Sequence, residues 1–276
     1  MALASQPLHL KHISLRPLPE DQVEQFPFSI PVIRSLGTLE FTAPVTFFVG
    51  ENGSGKSTLL EALACAVDLP VVGSENLKRD RSLVEVRRLS NFLRLGWTKR
   101  IHKGFFLRAE DFFGYARRMA QARQELEEDL REVDATYRDR PEAIDYARMP
   151  YQHELGDIQH RYSDGLDNLS HGEAFLHLFQ SRFIPGGLYL LDEPEVPLSP
   201  VRQLALLASI DQMVRQQAQF IIATHSPILM AFPGAVIYSF DAGRIQPVEY
   251  EALEHVTLTR SFLNDPQAYL RRLLEE

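Results

Sequence analysis

Cysteine is almost absent: Cys65 is the single thiol in 276 residues. That excludes an internal disulfide framework and fits a reducing compartment. No stretch approaches the ~18 consecutive apolar residues of a membrane-spanning helix, so no direct membrane insertion is expected. The N-terminus lacks a basic segment followed by an apolar run and a small-residue cleavage site, and a cytoplasmic location is expected. An excess of positive charge is missing too. Lys plus Arg number 29 against 37 Asp plus Glu, a formal net charge of −8. This argues against a surface coated for nucleic acid, although a local basic patch stays open. Internal repeats and low-complexity tracts are also lacking. With 45% hydrophobic residues, the chain can bury one large core, or a core domain carrying an insertion.

Along the chain, Pro17, Pro19, Pro27 and Pro31 interrupt short apolar runs, which reads as edge strands and turns. Val45–Val49 is a continuous apolar run, as in a buried parallel strand. Leu59, Leu60, Leu63, Ala64 and Val67 share one helical face, which predicts a helix over Ser57–Val67; Cys65 lies in it, so core packing accounts for it. Residues 78–108 carry Lys78, Arg79, Arg81, Arg87, Arg88, Arg94, Lys99, Arg100, Lys103 and Arg108 against Asp80 and Glu85. They read as a basic β-lobe in an acidic protein. From Tyr115, the residues Met119, Ala122, Leu126, Leu130, Val133 and Tyr137 step by three or four until Pro141. A weaker stripe follows at Tyr151, Leu155, Ile158 and Tyr162. The pair predicts an inserted helical hairpin whose first helix is roughly 35 Å long. Leu188–Leu191 and Phe220–Ala223 are further apolar runs with a helix, about 200–217, between them, which indicates a parallel sheet. Ala235–Phe240 reads as another strand. Asp265 and Pro266 mark the start of a last helix whose apolar face is Tyr269, Leu270, Leu273 and Leu274.

Gly50-Glu51-Asn52-Gly53-Ser54-Gly55-Lys56-Ser57 fits G-x-x-x-x-G-K-[ST] in full. Glycines let the backbone curl so that its N–H groups face phosphate oxygens. The helix that follows offers its positive end to the same anion. Glu51, Asn52, Gly53, Ser54, Gly55, Lys56, Ser57 and Thr58 are therefore the expected ATP-binding residues. Lys56 is expected to reach the β- and γ-phosphates and Ser57 to ligate Mg²⁺.

Leu188–Leu191 ends in Asp192-Glu193-Pro194. Neighbouring strand residues point opposite ways, so one carboxylate can face a metal and the other the γ-phosphate. Asp192 suits Mg²⁺, and Glu193 suits activation of water. Phe220–Ala223 ends in Thr224-His225-Ser226, where His225 is placed to bond the γ-phosphate and position the attacking water. With Lys56, these are the expected catalytic residues.

Leu169-Ser170-His171-Gly172-Glu173 completes a set that resembles the LSGGQ signature of ATP-binding cassette proteins. The order of phosphate loop, signature, acidic strand and histidine matches that superfamily. The likeness covers most of the chain outside the hairpin. It is strongest to stand-alone bacterial ATPases of the "AAA family" or ABC type, with RecF-like and SMC-like architecture. The resemblance implies an α/β fold, a P-loop NTPase of the ABC type. Its mostly parallel central sheet would be flanked by helices and carry an N-terminal antiparallel β-lobe and the hairpin. Residues 1–114 would form the first part of the core, 115–165 the insertion and 166–276 the remainder. It also implies a homodimer with two ATP molecules sandwiched, Ser170, His171, Gly172 and Glu173 of one copy facing the phosphate loop of the other. The loop 194–200 would connect the two sites, with Ser199 as its polar contact. Locally, Ser170 and Glu173 also have the spacing of a capping box. His171 stands where the transporter signature carries glycine, and Pro197 where a small residue is commoner. The usual Mg²⁺-contacting glutamine has no clear match, and Glu110 is its positional candidate. Phe26 and Phe28 are the aromatic candidates for adenine.

Three functional expectations follow. One is an ATP-driven dimeric switch on nucleic acid, in repair or phage defence, with the 78–108 lobe touching phosphates. Another is the ATP-binding subunit of a transporter whose membrane part is a separate polypeptide. The third is an ATP-gated interaction module with slow turnover, a protein partner docking on the 115–162 hairpin.

Overall fold

The computed structural model describes residues 8–72, 83–162 and 171–274. The strands are β1 (Leu10–Leu15), β2 (Thr38–Glu40), β3 (Val45–Val49), β4 (Leu93–Trp97), β5 (Gly104–Arg108), β6 (Leu188–Asp192), β7 (Gln219–Ala223), β8 (Val236–Ser239) and β9 (Gln246–Pro247). The helices are α1 (Pro31–Arg34), α2 (Lys56–Val67), α3 (Val84–Phe92), α4 (Ala109–Thr136), α5 (Pro141–Tyr162), α6 (His171–Arg182), α7 (Pro200–Arg215), α8 (Pro227–Met230), α9 (Glu254–Asn264) and α10 (Pro266–Leu274). The main sheet runs β5-β6-β7-β3-β8-β9. It is parallel except for β9, which pairs antiparallel with β8. A small antiparallel sheet has the order β2-β1-β4. This is the mostly parallel α/β architecture, with a small antiparallel sheet, that the sequence implies.

All five residues of β3, β6 and β7 are buried. Alternation explains how one apolar run serves two faces. Phe47, Tyr189, Leu191, Phe220 and Ile222 point into a core shared with Phe175 and Phe179 of α6 and Leu206 and Ile210 of α7. Phe48, Leu188, Leu190, Ile221 and Ala223 point into a second core with α2, α3 and the small sheet. The predicted stripe of α2 is buried throughout, Leu59, Leu60, Leu63 and Ala64 being fully covered. Every parallel strand thus ends at the same edge, where ligands of open α/β sheets bind.

A buried polar residue joins the two sheets. Gln219 Oε1 accepts from His9 N at 3.1 Å and Leu10 N at 2.9 Å, and its Nε2 donates to Leu10 O at 2.9 Å. Gln219→Leu leaves those backbone groups unpaired. It is expected to lower stability by about 2–4 kcal/mol, read as a shift in the urea midpoint at unchanged slope.

Several expectations need correction. The 78–108 stretch is not a β-lobe: its described part contains the helix α3, then β4 of the small sheet, then β5 of the parallel sheet. Val86 and Leu89 of α3 are buried, three residues apart, a spacing that a helix satisfies and a strand does not. Lys78, Arg79 and Arg81 lie outside the described residues. The first hairpin helix begins at Ala109, directly on the end of β5, and its 28 residues span about 42 Å. Pro141 opens α5 rather than ending a pattern, and Pro150 lies within that helix. Asp265 does cap α10, accepting from Ala268 N at 3.1 Å. The α10 stripe, however, is left largely uncovered by the described residues: Leu270, Leu273 and Leu274 are exposed. Phe28 is fully buried, edge-on to Phe92 at 5.3 Å, which removes it as an adenine contact; Phe26 is exposed.

Candidate nucleotide site

The phosphate loop lies between β3 and α2. Gly50, Gly53 and Gly55 adopt φ of 143°, 81° and 100°, conformations that favour glycine. A Cβ on Gly55 would meet Ile30 Cγ2 and Val32 Cγ2 at 2.9 Å, and one on Gly50 would meet Asp241 Oδ1 at 2.7 Å. The loop is thus pressed between α1 and the end of β8. Gly53, by contrast, has nothing within 4 Å on that side. No side chain caps the N-terminus of α2, so its first N–H groups remain for an anion. Ser54 Oγ is buried with no hydrogen-bond partner among the described residues. A cation, uncapped amides and an orphaned hydroxyl gathered on one loop fit a polyphosphate.

Lys56 is buried, and its Nζ donates to Gly50 O at 2.7 Å and Glu51 O at 2.9 Å. Burial lowers its pKa, opposed by the carboxylates of Glu193, Asp192, Asp241 and Glu195. Ser57 Oγ donates to Asp192 Oδ1 at 3.1 Å. This pairing of a hydroxyl with a carboxylate suits a hard divalent cation such as Mg²⁺. Burial pushes the Asp192 carboxyl up to about 7, the Ser57 hydrogen bond opposing the shift and Glu61 and Glu193 adding to it. A carboxyl raised from 3.8 binds more protons folded than unfolded, so in the metal-free chain its ionisation removes stability as pH climbs towards 7. Asp192→Asn is therefore expected to raise the melting temperature in EDTA at pH 8 by several degrees. The gain should shrink towards pH 4, as calorimetry at the two pH values would record.

Glu193 sits at φ 50°, a left-handed backbone uncommon for a non-glycine residue. This turns its side chain away from the Asp192 direction, and His225 Nε2 lies 3.8 Å from Glu193 Oε1. Both side chains are about two-fifths exposed, as groups that meet a ligand from solvent must be. Burial lowers the His225 pKa, and Lys56 lowers it further. His225 N donates to Glu195 Oε1 at 2.7 Å, which fixes the turn that presents the imidazole.

Three contributors escaped the sequence. Asp241, after β8, accepts from Glu51 N at 2.7 Å and from Ser239 Oγ at 3.0 Å, and so holds the entrance of the loop. Glu195 anchors His225. His255, on α9, has a buried Nε2 without a partner among the described residues. Burial lowers its pKa, with Asp241 and Glu254 opposing. An apolar-run search finds none of them; Asp241 and Glu195 act through contacts distant in sequence.

Other expected residues are not brought together. Glu110 is 75% exposed and its carboxylate faces Arg108 at 3.6 Å, not the Ser57–Asp192 pair. Leu169 and Ser170 lie outside the described residues. His171 opens α6. A Cβ at Gly172 would meet Pro197 O at 2.8 Å and Arg202 Cδ at 2.9 Å, so this glycine lets the 194–200 loop approach. Glu173 pairs with Arg202 of α7 at 2.8 Å. Ser199 is exposed beside α7.

A glycine-rich loop between strand and helix, beside a second strand ending in carboxylates, is the arrangement that the sequence motifs imply for a nucleotide site. Residues 30–87 match the AAA domain family. The chain is similar to the cobalt import ATP-binding protein CbiO of Salmonella typhimurium (strain LT2), 27% identical over 263 residues, 84% of this chain and 83% of that protein. Among solved structures it is similar to the Smc head domain of Pyrococcus furiosus bound to the C-terminal domain of ScpA, at 11% identity and a TM-score of 0.45, with 94% of this chain and 99% of that one covered. It is also similar to cbiO1 of Clostridium perfringens, part of the ABC transporter complex cbiONQ, at 15% identity and a TM-score of 0.44, with 98% and 100% covered. The family match and the curated relative agree with the resemblance to ABC-type ATPases drawn from the motifs. No helix among the described residues is long and apolar enough to cross a membrane.

Proposed function

We propose that the chain binds ATP with Mg²⁺, hydrolyses it to ADP and phosphate, and works as a nucleotide switch closed by a second copy of itself. The observation that carries this reading is the convergence of Lys56, the Ser57–Asp192 pair and the Glu193–His225 pair on one sheet edge. In this mechanism phosphate oxygens replace Gly50 O and Glu51 O as acceptors for Lys56. The loop amides and the α2 N-terminus hold the polyphosphate. Ser57 and Asp192 would hold the cation, which neutralises charge on the phosphates when bound. His225 orients a water. Glu193 takes its proton as the water oxygen bonds to the γ-phosphorus and the bond to the β,γ-bridging oxygen breaks, releasing ADP. Ser170, His171, Gly172 and Glu173 of a second copy would close the site. Phosphate release by the purified chain tests the reading; turnover with Mg²⁺ and none in EDTA is expected, and no turnover in either would refute it.

For the client, nucleic acid is the first candidate, in repair or phage defence in the cytoplasm. Of the basic stretch, Arg94, Lys99, Arg100 and Lys103 are exposed, whereas Arg108 is buried among carboxylates. Four exposed cations support weak, salt-sensitive phosphate binding. An ATP-dependent DNA titration at two salt concentrations decides, and absence of binding at low salt removes this client. The second reading is a transporter ATP-binding subunit, favoured by the likeness to CbiO over most of both chains. Co-purification with a membrane polypeptide would support it. A protein partner on the hairpin is the third, and the exposed Tyr146 and Met149 are where such a partner would dock.

A further inference from the structure

Arg108 was counted above with the basic stretch, yet its guanidinium is only 7% exposed. Its Nε and Nη2 donate to Asp111 Oδ2 at 2.7 Å and Oδ1 at 3.1 Å, a bidentate pair. Its Nη1 donates to Glu61 Oε1 at 3.1 Å. Glu61 and Asp111 are themselves 14% and 12% exposed. A buried ion triad of this kind is seldom worth more to stability than apolar packing of the same volume, so its placement is the informative feature.

The triad links α2, the end of β5 and the first turn of α4. Glu61 lies four residues beyond Ser57 on the same face of α2. Arg108 stands directly abreast of Asp192 in the β5–β6 register. Asp111 belongs to the first turn of α4. Arg108 is also the N-cap residue of α4, with an extended backbone at φ −105° and ψ 137°, so strand passes into hairpin with no linker. The triad therefore ties the Ser57–Asp192 pair to the base of a 28-residue helix. A rotation of ~5° at that base displaces the far end of a ~42 Å helix by roughly 4 Å.

Resting on the ATP-hydrolysing reading above, we propose that Arg108 is a positioning residue that transmits the state of the Ser57–Asp192 pair to the α4–α5 hairpin through Glu61 and Asp111. When the negative charge of Asp192 is compensated, its repulsion of Glu61 falls. The balance of Arg108 between Glu61 and Asp111 shifts, and α4 turns about its base. Glu61 is among the charges that push the Asp192 carboxyl up, in keeping with this coupling.

The test uses the full chain with Cys65→Ser and spin labels at Thr38→Cys and Ala135→Cys, both exposed positions. Mg-ATP is expected to shift the distance between the labels by roughly 4 Å. Glu61→Gln and Asp111→Asn keep side-chain shape and remove one charge each; either should reduce that shift to less than half. Nucleotide affinity, measured in the same samples with a fluorescent ATP analogue, should stay within about threefold in both, a change under ~1 kcal/mol. Arg108→Lys keeps the charge but not the bidentate fork, and should behave like Asp111→Asn. Two results overturn the proposal alone: an undiminished shift in both carboxylate variants, or an unaltered chain that binds Mg-ATP with no shift. A chain that binds no nucleotide overturns the ATPase reading itself, and this inference with it.

Discussion

Glu193→Gln is expected to lower ATP turnover by about 10²–10⁴-fold while leaving nucleotide affinity nearly unchanged. Glutamine has the shape of glutamate and makes no new demand on the backbone at φ 50°. In the proposed site, affinity rests on the loop amides, Lys56 and the Ser57–Asp192 pair, none of which the substitution replaces. What it removes is the carboxylate 3.8 Å from His225, the group proposed to take the proton of the attacking water. Steady-state phosphate release beside equilibrium binding of a fluorescent nucleotide separates the two effects. A variant that hydrolyses ATP at the original rate would move the catalytic base elsewhere, with partly buried Glu195 the next carboxylate along the loop.

Lys56→Ala has the opposite signature. Lys56 is the cation in a site whose nearby charges include the carboxylates of Asp192, Glu193, Glu195 and Asp241. Without it, a polyphosphate loses its nearby cation and meets those carboxylates, and the loop carbonyls of Gly50 and Glu51 lose their donor. Charge-assisted hydrogen bonds of this kind contribute about 1.5–3 kcal/mol each. Affinity for ATP is expected to fall by at least ~100-fold, equivalent to about 2.7 kcal/mol. Isothermal titration of the two proteins measures this directly, with circular dichroism to show that the fold persists.

The parts of this molecule legible in its sequence are those governed by short-range rules. Val45–Val49, Leu188–Leu191 and Phe220–Ala223 read as buried strands because uninterrupted apolar runs have no solvated face. The α2 stripe read correctly because five apolar positions share one side of a helix. Asp192, Glu193 and His225 stood out as polar residues within two positions of the ends of such runs, and the structure places them at one sheet edge. The residues that were not legible depend on long-range pairing. Asp241 meets the phosphate loop across 190 residues. Gln219 bonds a strand 209 residues away. Arg108 looked like surface charge because composition counts cations without their partners. Its burial against Glu61 and Asp111 is fixed by how β5 runs into α4. The start of α4 was missed for a related reason: Ala109–Gly114 breaks the later heptad-like stepping, and strand β5 alone sets where the helix begins.

The central claim is an ATP-hydrolysing site completed by a second copy of the chain, and light scattering of the Glu193→Gln protein tests it most directly. With Mg-ATP this variant is expected to turn over far more slowly, so the closed assembly should accumulate and the measured mass should double from the 31.5 kDa of one chain. In EDTA, or with Lys56→Ala added, that doubling should vanish. A Glu193→Gln protein that binds Mg-ATP and keeps the same mass with and without it would contradict the sandwich.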